Sequence, residues 1–140
     1  MTSKPFDLEL YNQDDKAKLL VIDWMAKHGI KSWVNPDTYG IDLLGQGPKG
    51  DYEVEVEVKH NWRGPIFPFD TVHFSARKNK FAKNSPNNLF VMLNDGLTHA
   101  LIVPGKALIE GKRVVKNTVY TKAESFIQVD VSKCNLCEVS

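Results

Sequence analysis

Residues 40–44 read Gly-Ile-Asp-Leu-Leu, and residues 52–59 read Tyr-Glu-Val-Glu-Val-Glu-Val-Lys. In the second stretch every other residue is apolar, so a strand places the three valines on one face and the three glutamates with Lys59 on the other. Between the two stretches, residues 45–51 read Gly-Gln-Gly-Pro-Lys-Gly-Asp, a composition typical of turns. The sequence therefore predicts a β-hairpin that brings Asp42 towards Glu57 and Lys59.

The composition is that of an ordinary globular protein, with 140 residues of which 42% are hydrophobic and 25% are charged. One domain over residues 1–140 is expected. No apolar run reaches the roughly 20 residues that span a bilayer, and residues 1–7 lack the apolar core of a signal peptide. We therefore expect a soluble cytoplasmic protein without a membrane partner. The net charge of +1 favours no partner by itself, so a nucleic-acid surface would require local clustering of basic residues.

Cys134 and Cys137 form a single Cys-x-x-Cys motif near residue 140. A structural zinc site usually needs a second pair of ligands, which the sequence does not place nearby. Free thiols are the favoured interpretation.

An amphipathic helix is predicted from residue 14 to residue 28. Asp14 and Asp15 fall in its first turn, where carboxylates favour the helix dipole, and Gly29 follows as a C-terminal cap. The apolar positions recur with helical spacing: Ala17, Leu20, Val21, Trp24, Met25 and His28.

The rest of the chain alternates strand and turn signals. A mixed α/β (α+β) sandwich is predicted, with a central mixed β-sheet flanked by helices. The other predicted elements are an edge strand or arm at 4–10, strands at 30–34, 72–74, 88–94, 99–103 and 126–129, a turn at 35–37, a loop at 60–69, a basic helix at 75–83 and a small helix or turn at 106–109. Asp95-Gly96 is a hairpin signal between two of these strands. Trp24 and Trp33 are predicted to lie in the core.

The predicted hairpin has the chemistry of a magnesium site. Mg²⁺ prefers hard oxygen ligands and usually takes one or two carboxylates, which Asp42 and Glu57 can supply, with the Val58 carbonyl as a further ligand. The Lys59 ammonium can orient an attacking water or neutralise negative charge on a phosphoryl transition state. These residues together outline phosphodiester hydrolysis.

The order of helix, Asp42, hairpin and Glu57-Val58-Lys59 resembles the PD-(D/E)xK nuclease superfamily, which includes restriction endonucleases and phage or archaeal Holliday-junction resolvases. The resemblance covers roughly residues 7–103, with Ile41-Asp42 in place of the usual Pro-Asp. It implies a restriction-endonuclease-like fold in which Asp42 and Glu57 bind Mg²⁺ or Mn²⁺ and Lys59 assists the water. It further implies a first-helix carboxylate, assigned to Asp15 over Asp14, an endonuclease or exonuclease acting on DNA in recombination or repair, and a homodimer. The host would be a bacterial, archaeal or phage-infected cell.

Basic residues cluster after the hairpin, where they can hold a phosphate backbone. His60 and Asn61 are placed to contact the scissile phosphate. Trp62 and Phe67 could stack on bases, although a core position is favoured for both. The predicted nucleic-acid contacts are His60, Asn61, Arg63, Arg77, Lys78, Lys80 and Lys83.

Three alternatives remain open. An alternating Glu/Val strand is also typical of a solvated antiparallel edge, on which Glu53 and Glu55 are surface residues. Glu55 is a substitute metal ligand if the register shifts. The scaffold could instead serve as a non-catalytic nucleic-acid-binding module, or as a protein-interaction domain.

Overall fold

The structure is a computed structural model that describes residues 12–37, 40–75, 87–116 and 124–139. Within these ranges the chain forms two α-helices, nine strands and one 3-10 helix. In chain order they are α1 (Asn12–Lys27), β1 (Lys31–Val34), β2 (Leu43–Gly47), β3 (Gly50–Lys59), β4 (Thr71–Ser75), β5 (Leu89–Asn94), β6 (His99–Pro104), α2 (Gly105–Ile109), β7 (Lys112–Lys116), β8 (Glu124–Asp130), the 3-10 helix (Val131–Lys133) and β9 (Asn135–Glu138).

Two sheets make up the strand framework. A six-stranded mixed sheet has the order β1-β2-β3-β5-β6-β9, and a three-stranded antiparallel sheet has the order β4-β8-β7. In the larger sheet β3 and β5 run parallel, and each other neighbouring pair is antiparallel.

Strand β3 changes its main-chain partner midway along its length. Its first half, Gly50 to Val54, pairs with β2, and its second half, Val54 to Lys59, pairs with β5. Val54 is the residue at which the two ladders overlap. The second half of β3 therefore extends past the start of β2, and side chains can approach its backbone there.

The two faces of the larger sheet cover two different cores. On one face, Ala17, Val21 and Met25 of α1 pack against the apolar face of β3 and β5, which includes Val54 and Val91. A fully buried side chain of the size of Val21 or Met25 contributes about 1.5 to 3 kcal/mol. We call this the helix-side core, and it accounts for the apolar stripe of α1.

The opposite face packs against the smaller sheet and forms what we call the sheet-side core. Phe90 and Met92 of β5 meet Phe74 of β4 there, and the Phe74 and Phe90 rings lie 5.3 Å apart. Glu55 and Glu57 are the register partners of Phe90 and Met92. The glutamate face of β3 therefore borders an apolar core.

The predicted fold class is confirmed, as are α1 and the two hairpins β2-β3 and β5-β6. The predicted seven-residue turn at 45–51 is too long, because the strands continue through Gly47 and resume at Gly50. Only Pro48 and Lys49 remain between them. Gly50 has a φ of 114°, a conformation that side chains disfavour, which explains a glycine at this tight reversal.

Other elements differ from the sequence prediction. Strands β7 and β9 were not predicted, and the 72–74 segment is a full strand of a second sheet. Trp33 is wrongly predicted as core: it lies on edge strand β1 and is 37% exposed. The predicted arm at 4–10 and nearly all of the basic helix at 75–83 lie outside the described residues. Within the described ranges, no helix is long and apolar enough to cross a membrane.

Candidate active site

Asp42 lies one residue before β2, where it replaces a main-chain partner of β3. The main-chain pairing of β2 with β3 ends at Leu43 and Val54, and the Asp42 Oδ2 accepts a hydrogen bond from the Val56 N–H at 2.8 Å. The preceding turn is fixed by Asn35, whose Nδ2 donates to the Ile41 carbonyl at 2.9 Å and whose N–H donates to the Asp42 carbonyl at 3.0 Å. The carboxylate is thus held beside the backbone that leads into Glu57.

Two cavities share Asp42, Val56 and Glu57 in their walls. The first has a volume of about 250 Å³ and borders the sheet-side core, and the second has a volume of about 270 Å³ and lies against α1. The structure therefore brings the two predicted metal-binding carboxylates to one place. The first is also lined by Glu55, Phe74, Phe90, Val91 and Met92, and the second by Asp14, Ala17, Lys18 and Val58.

Lys18 is a member of this site that the sequence analysis did not identify. Its Nζ lies 3.8 Å from the Asp42 Oδ1, and both side chains are about a quarter exposed. The helical pattern places residue 18 one turn after Asp14, on the same side of the helix. The pattern does not show where α1 crosses β3, and therefore does not show that this side of the helix meets Asp42.

The two first-turn carboxylates occupy different surroundings. Asp14 lines the cavity next to α1, together with Asp42 and Glu57. Both side chains are exposed, but Asp15 is not among the residues that line either of these two cavities. The assignment of Asp15 to the site stays a prediction, and the geometry favours Asp14, the alternative considered with it.

Lys59 extends from the same strand face as Glu57 but lies over an aromatic ring. Its Nζ is 5.2 Å from the centroid of the Phe69 ring, a cation–π contact. Among the described residues that line the two cavities, Lys59 does not occur. A rotation of the flexible four-carbon side chain is the movement that would bring its ammonium towards the carboxylates.

The residues that follow Lys59 form an exposed polar corner at the end of β3. His60 Nδ1 lies 2.9 Å from Asp95 Oδ1, at the end of neighbouring β5. This hydrogen bond is the main reason that the pKa of Asp95 is lowered, and Arg63 adds a smaller electrostatic effect. Asn61 and Arg63 are exposed. Arg77, Lys78, Lys80 and Lys83, the other predicted phosphate contacts, lie outside the described residues.

Several predicted surface roles change once burial is known. Trp62 and Phe67 are 0% and 7% exposed, so they belong to the sheet-side core, as the favoured interpretation had it. Glu53 was expected to be solvated, but it is half-buried and accepts a hydrogen bond from Asn88 at 3.3 Å. Glu55, the substitute ligand proposed for a shifted register, is half-buried in the wall of the first cavity.

The donor set suits a hard divalent cation that keeps several waters. Asp42, Glu57 and the Val58 carbonyl supply oxygen only, which matches the preference of Mg²⁺ or Mn²⁺. Across the part of the chain that the structure describes, no three His, Cys, Asp or Glu side chains are close enough together to enclose a metal ion. Asp42 and Glu57 are the carboxylates that line both cavities and could hold such an ion.

The two cysteines are free thiols in different surroundings, as the favoured interpretation expected. Cys134 packs against the sheet-side core and Cys137 against the helix-side core. Burial raises the pKa of Cys134 to about 11, and the nearby Asp130 adds to this effect. A protonated, partly buried thiol is a poor metal ligand.

Comparison with known proteins identifies the fold. No family model and no curated protein matches the sequence. Among solved structures, the chain is similar to Hjc of Archaeoglobus fulgidus, a Holliday junction resolvase from an archaeal hyperthermophile. The TM-score is 0.52 at 12% sequence identity, over 84% of this chain and 88% of that one. This likeness confirms the predicted mixed α+β fold with its central sheet.

Proposed function

We propose that this protein is a divalent-metal-dependent nuclease that hydrolyses phosphodiester bonds in branched DNA. The observation that carries the proposal is the position of Asp42, which bonds to the backbone of β3 and lines two cavities together with Glu57. The fold it shares with a Holliday junction resolvase supports this choice of substrate class.

In this proposal Asp42, Glu57 and the Val58 carbonyl hold Mg²⁺ or Mn²⁺. When bound, the ion supplies Lewis-acid polarisation of the phosphate and a lowered pKa for water. The hydrogen bond from the Val56 N–H fixes Asp42 in one orientation, so little is lost in ordering this ligand when the cation enters.

Lys59 is the proposed group that orients the attacking water and offsets the charge that develops on the phosphate. Its ammonium leaves the Phe69 ring to do so. Arg63, His60 and Asn61 at the end of β3 are proposed to contact neighbouring phosphates, and Asp14 is the proposed carboxylate of α1.

Cleavage of matched substrates tests the proposal. The purified protein is incubated with a four-way junction, a linear duplex of the same sequence and a single strand, each with Mg²⁺ or Mn²⁺. We expect cleavage of the junction that disappears in EDTA and in the Asp42→Ala and Lys59→Ala variants. Asp51→Asn, which removes an exposed carboxylate from the same strand, serves as the matched control. Cleavage that survives Asp42→Ala would contradict the proposed site.

Paired cuts across a junction need two active sites, so we propose that the protein acts as a homodimer. Light scattering coupled to size exclusion, with and without the junction, measures the number of copies. A single copy in both conditions would contradict this part of the proposal.

A non-catalytic nucleic-acid-binding module is the second candidate, and the Lys18–Asp42 ion pair favours it. An ammonium 3.8 Å from the carboxylate can take the place of a metal ion and leave a scaffold that binds DNA without cutting it. This candidate predicts junction binding that does not change on addition of Mg²⁺, with no product on any of the substrates.

A further inference from the structure

The loop between β3 and β4 has an exposed apolar tip on a fixed base. In residues 64–69, which we call the apolar loop, Ile66 is 76% exposed and Phe69 is 41% exposed. Folding therefore leaves two large apolar side chains of one short loop in contact with water.

The base of the apolar loop is held by hydrogen bonds to the end of β5. Asn94, which is 1% exposed, donates from Nδ2 to the Gly64 carbonyl at 3.1 Å. The Asp95 N–H donates to the Trp62 carbonyl at 2.7 Å. A buried amide that bonds to a loop carbonyl fixes the loop relative to the sheet.

Aromatic packing continues this support towards the tip. Trp62 and Phe67 are in edge-to-face contact with ring centroids 5.1 Å apart, and Phe67 contacts Phe69 in the same way at 5.5 Å. Trp62 and Phe67 are buried in the sheet-side core. The exposed ring of Phe69 is therefore the outer end of an anchored aromatic row, and the exposed Ile66 belongs to the same loop, which includes Pro65 and Pro68.

Positive charge flanks this apolar surface. The Lys59 ammonium lies 5.2 Å from the Phe69 ring centroid, and Arg63 is exposed directly before the loop. Apolar side chains near cations match a DNA surface in which bases are accessible between phosphates. Ile, Phe and Pro are among the residues that insert between base steps and partly unstack them.

We propose that the apolar loop is a wedge that reads interruptions in base stacking, with Ile66 inserted at the branch point and an unstacked base against Phe69. This inference rests on the proposed function to the extent that DNA is the substrate. It names the feature of branched DNA that the site recognises. A protein partner fits less well, because specific protein interfaces bury about 800 Å² on each side, whereas the tip presents one Ile and one ring edge.

Fluorescence of 2-aminopurine placed next to the branch point tests the wedge without cleavage. The full-length protein is titrated in Ca²⁺ into a four-way junction and into a linear duplex that carries the same label. We expect fluorescence to rise on the junction only, because insertion unstacks the labelled base. Burying an Ile side chain is worth about 1.5 to 3 kcal/mol, so Ile66→Ser should weaken junction binding about 10-fold to 150-fold and abolish the rise.

Two controls separate a wedge from a general loss of apolar surface. Ile66→Leu keeps an apolar side chain at the tip and should behave as the unmodified protein. Val115→Ser removes a 62% exposed apolar residue from β7 and should change neither binding nor fluorescence. Thermal unfolding of each variant checks that the fold is retained.

Each result decides a different part of the argument. An Ile66-dependent rise without cleavage in Mg²⁺ supports the wedge and overturns the nuclease. Cleavage and binding of the junction that Ile66→Ser leaves unchanged overturn the wedge alone, and an equal loss in Val115→Ser does so too. Failure of the unmodified protein to bind any of the DNA substrates overturns both.

Discussion

Two side chains accept a main-chain N–H of β3 in place of a neighbouring strand, and they differ in kind. In the first half, before β5 begins, the Asn88 Oδ1 accepts the Glu53 N–H at 3.3 Å. In the second half, beyond the start of β2, the Asp42 Oδ2 accepts the Val56 N–H at 2.8 Å. An amide occupies one position and a carboxylate the other, on opposite edges of the same strand.

The surroundings explain the choice at each point. Asn88 is 1% exposed and uses both ends of its amide on Glu53, since its Nδ2 also donates to the Glu53 carboxylate. Asp42 uses one oxygen on the backbone and turns the other towards Lys18 and the two cavities. A neutral group is suited to a buried structural position, whereas a charged group with a spare oxygen is suited to binding a cation.

The largest effect, on cleavage, is expected when the Asp42 carboxylate is replaced by an amide like that of Asn88. Asp42→Asn keeps an oxygen that can accept the Val56 N–H but removes the charge that the cation requires. We expect cleavage to fall at least about a hundredfold, with the midpoint of thermal unfolding little changed. Initial rates on the four-way junction and calorimetric unfolding of the same samples measure the two quantities.

The contrast between the two quantities is what tests the comparison. If Asp42→Asn lowered the unfolding midpoint enough to account for the lost cleavage, Asp42 would be a structural residue like Asn88. Asp51→Asn gives the baseline for removing a carboxylate from β3 without changing a residue of the cavity walls.

At Asn88 we expect the opposite result, a loss of stability without a loss of metal binding. Asn88→Ala removes the acceptor of the Glu53 N–H and the donor to its carboxylate at a buried position. An unsatisfied buried polar group costs about 1 to 3 kcal/mol, so the free energy of unfolding should fall by that amount. Urea denaturation measures it. Metal affinity measured by calorimetry should stay the same, and a loss of metal binding would show that the two halves of β3 are not separate in function.

The sequence predicted one of these two positions and not the other, for a physical reason. Alternation along 52–59 is a local signal, and an aspartate just before a short apolar run is another, so Asp42 and Glu57 could be placed on one hairpin. Asn88 and Lys18 reach β3 across the sheet and across the helix packing. Such contacts depend on strand order and on where α1 crosses, which no local period encodes.

The same limit applies to the second sheet. The short stretch at 72–74 was predicted as extended, but its partner β8 lies more than fifty residues further along the chain. Contrary to the expectation of solvated residues, Glu53 and Glu55 are half-buried, and Glu55 lines a cavity with Phe74 and Phe90. Glu57, on the same face, is exposed. The sequence alone did not show that the glutamate face of β3 borders a second core.

A smaller effect is expected from Lys18, which neutralises the free oxygen of Asp42. Lys18→Met keeps most of the side-chain length and removes the charge, so the carboxylate becomes more available to a cation. Partly exposed ion pairs contribute about 0.2 to 1 kcal/mol, which corresponds to a fall of up to about fivefold in the Mn²⁺ dissociation constant. Calorimetric titration of Mn²⁺ measures this. Weaker Mn²⁺ binding would contradict the assignment of Lys18 as a competitor for Asp42.

The smallest effect is expected one residue before Asn88, at the exposed end of the same edge. The Asn87 Nδ2 donates to the Lys49 carbonyl at 3.0 Å and to the Asp51 carbonyl at 3.2 Å, next to the tight β2-β3 reversal. Water can replace the amide at exposed carbonyls, so Asn87→Ala should lower the free energy of unfolding by only about 0.5 kcal/mol. Urea denaturation beside Asn88→Ala measures the difference. Equal losses in the two variants would mean that burial is not what makes Asn88 important, and that the amide edge of β3 acts as one unit from Lys49 to Glu53.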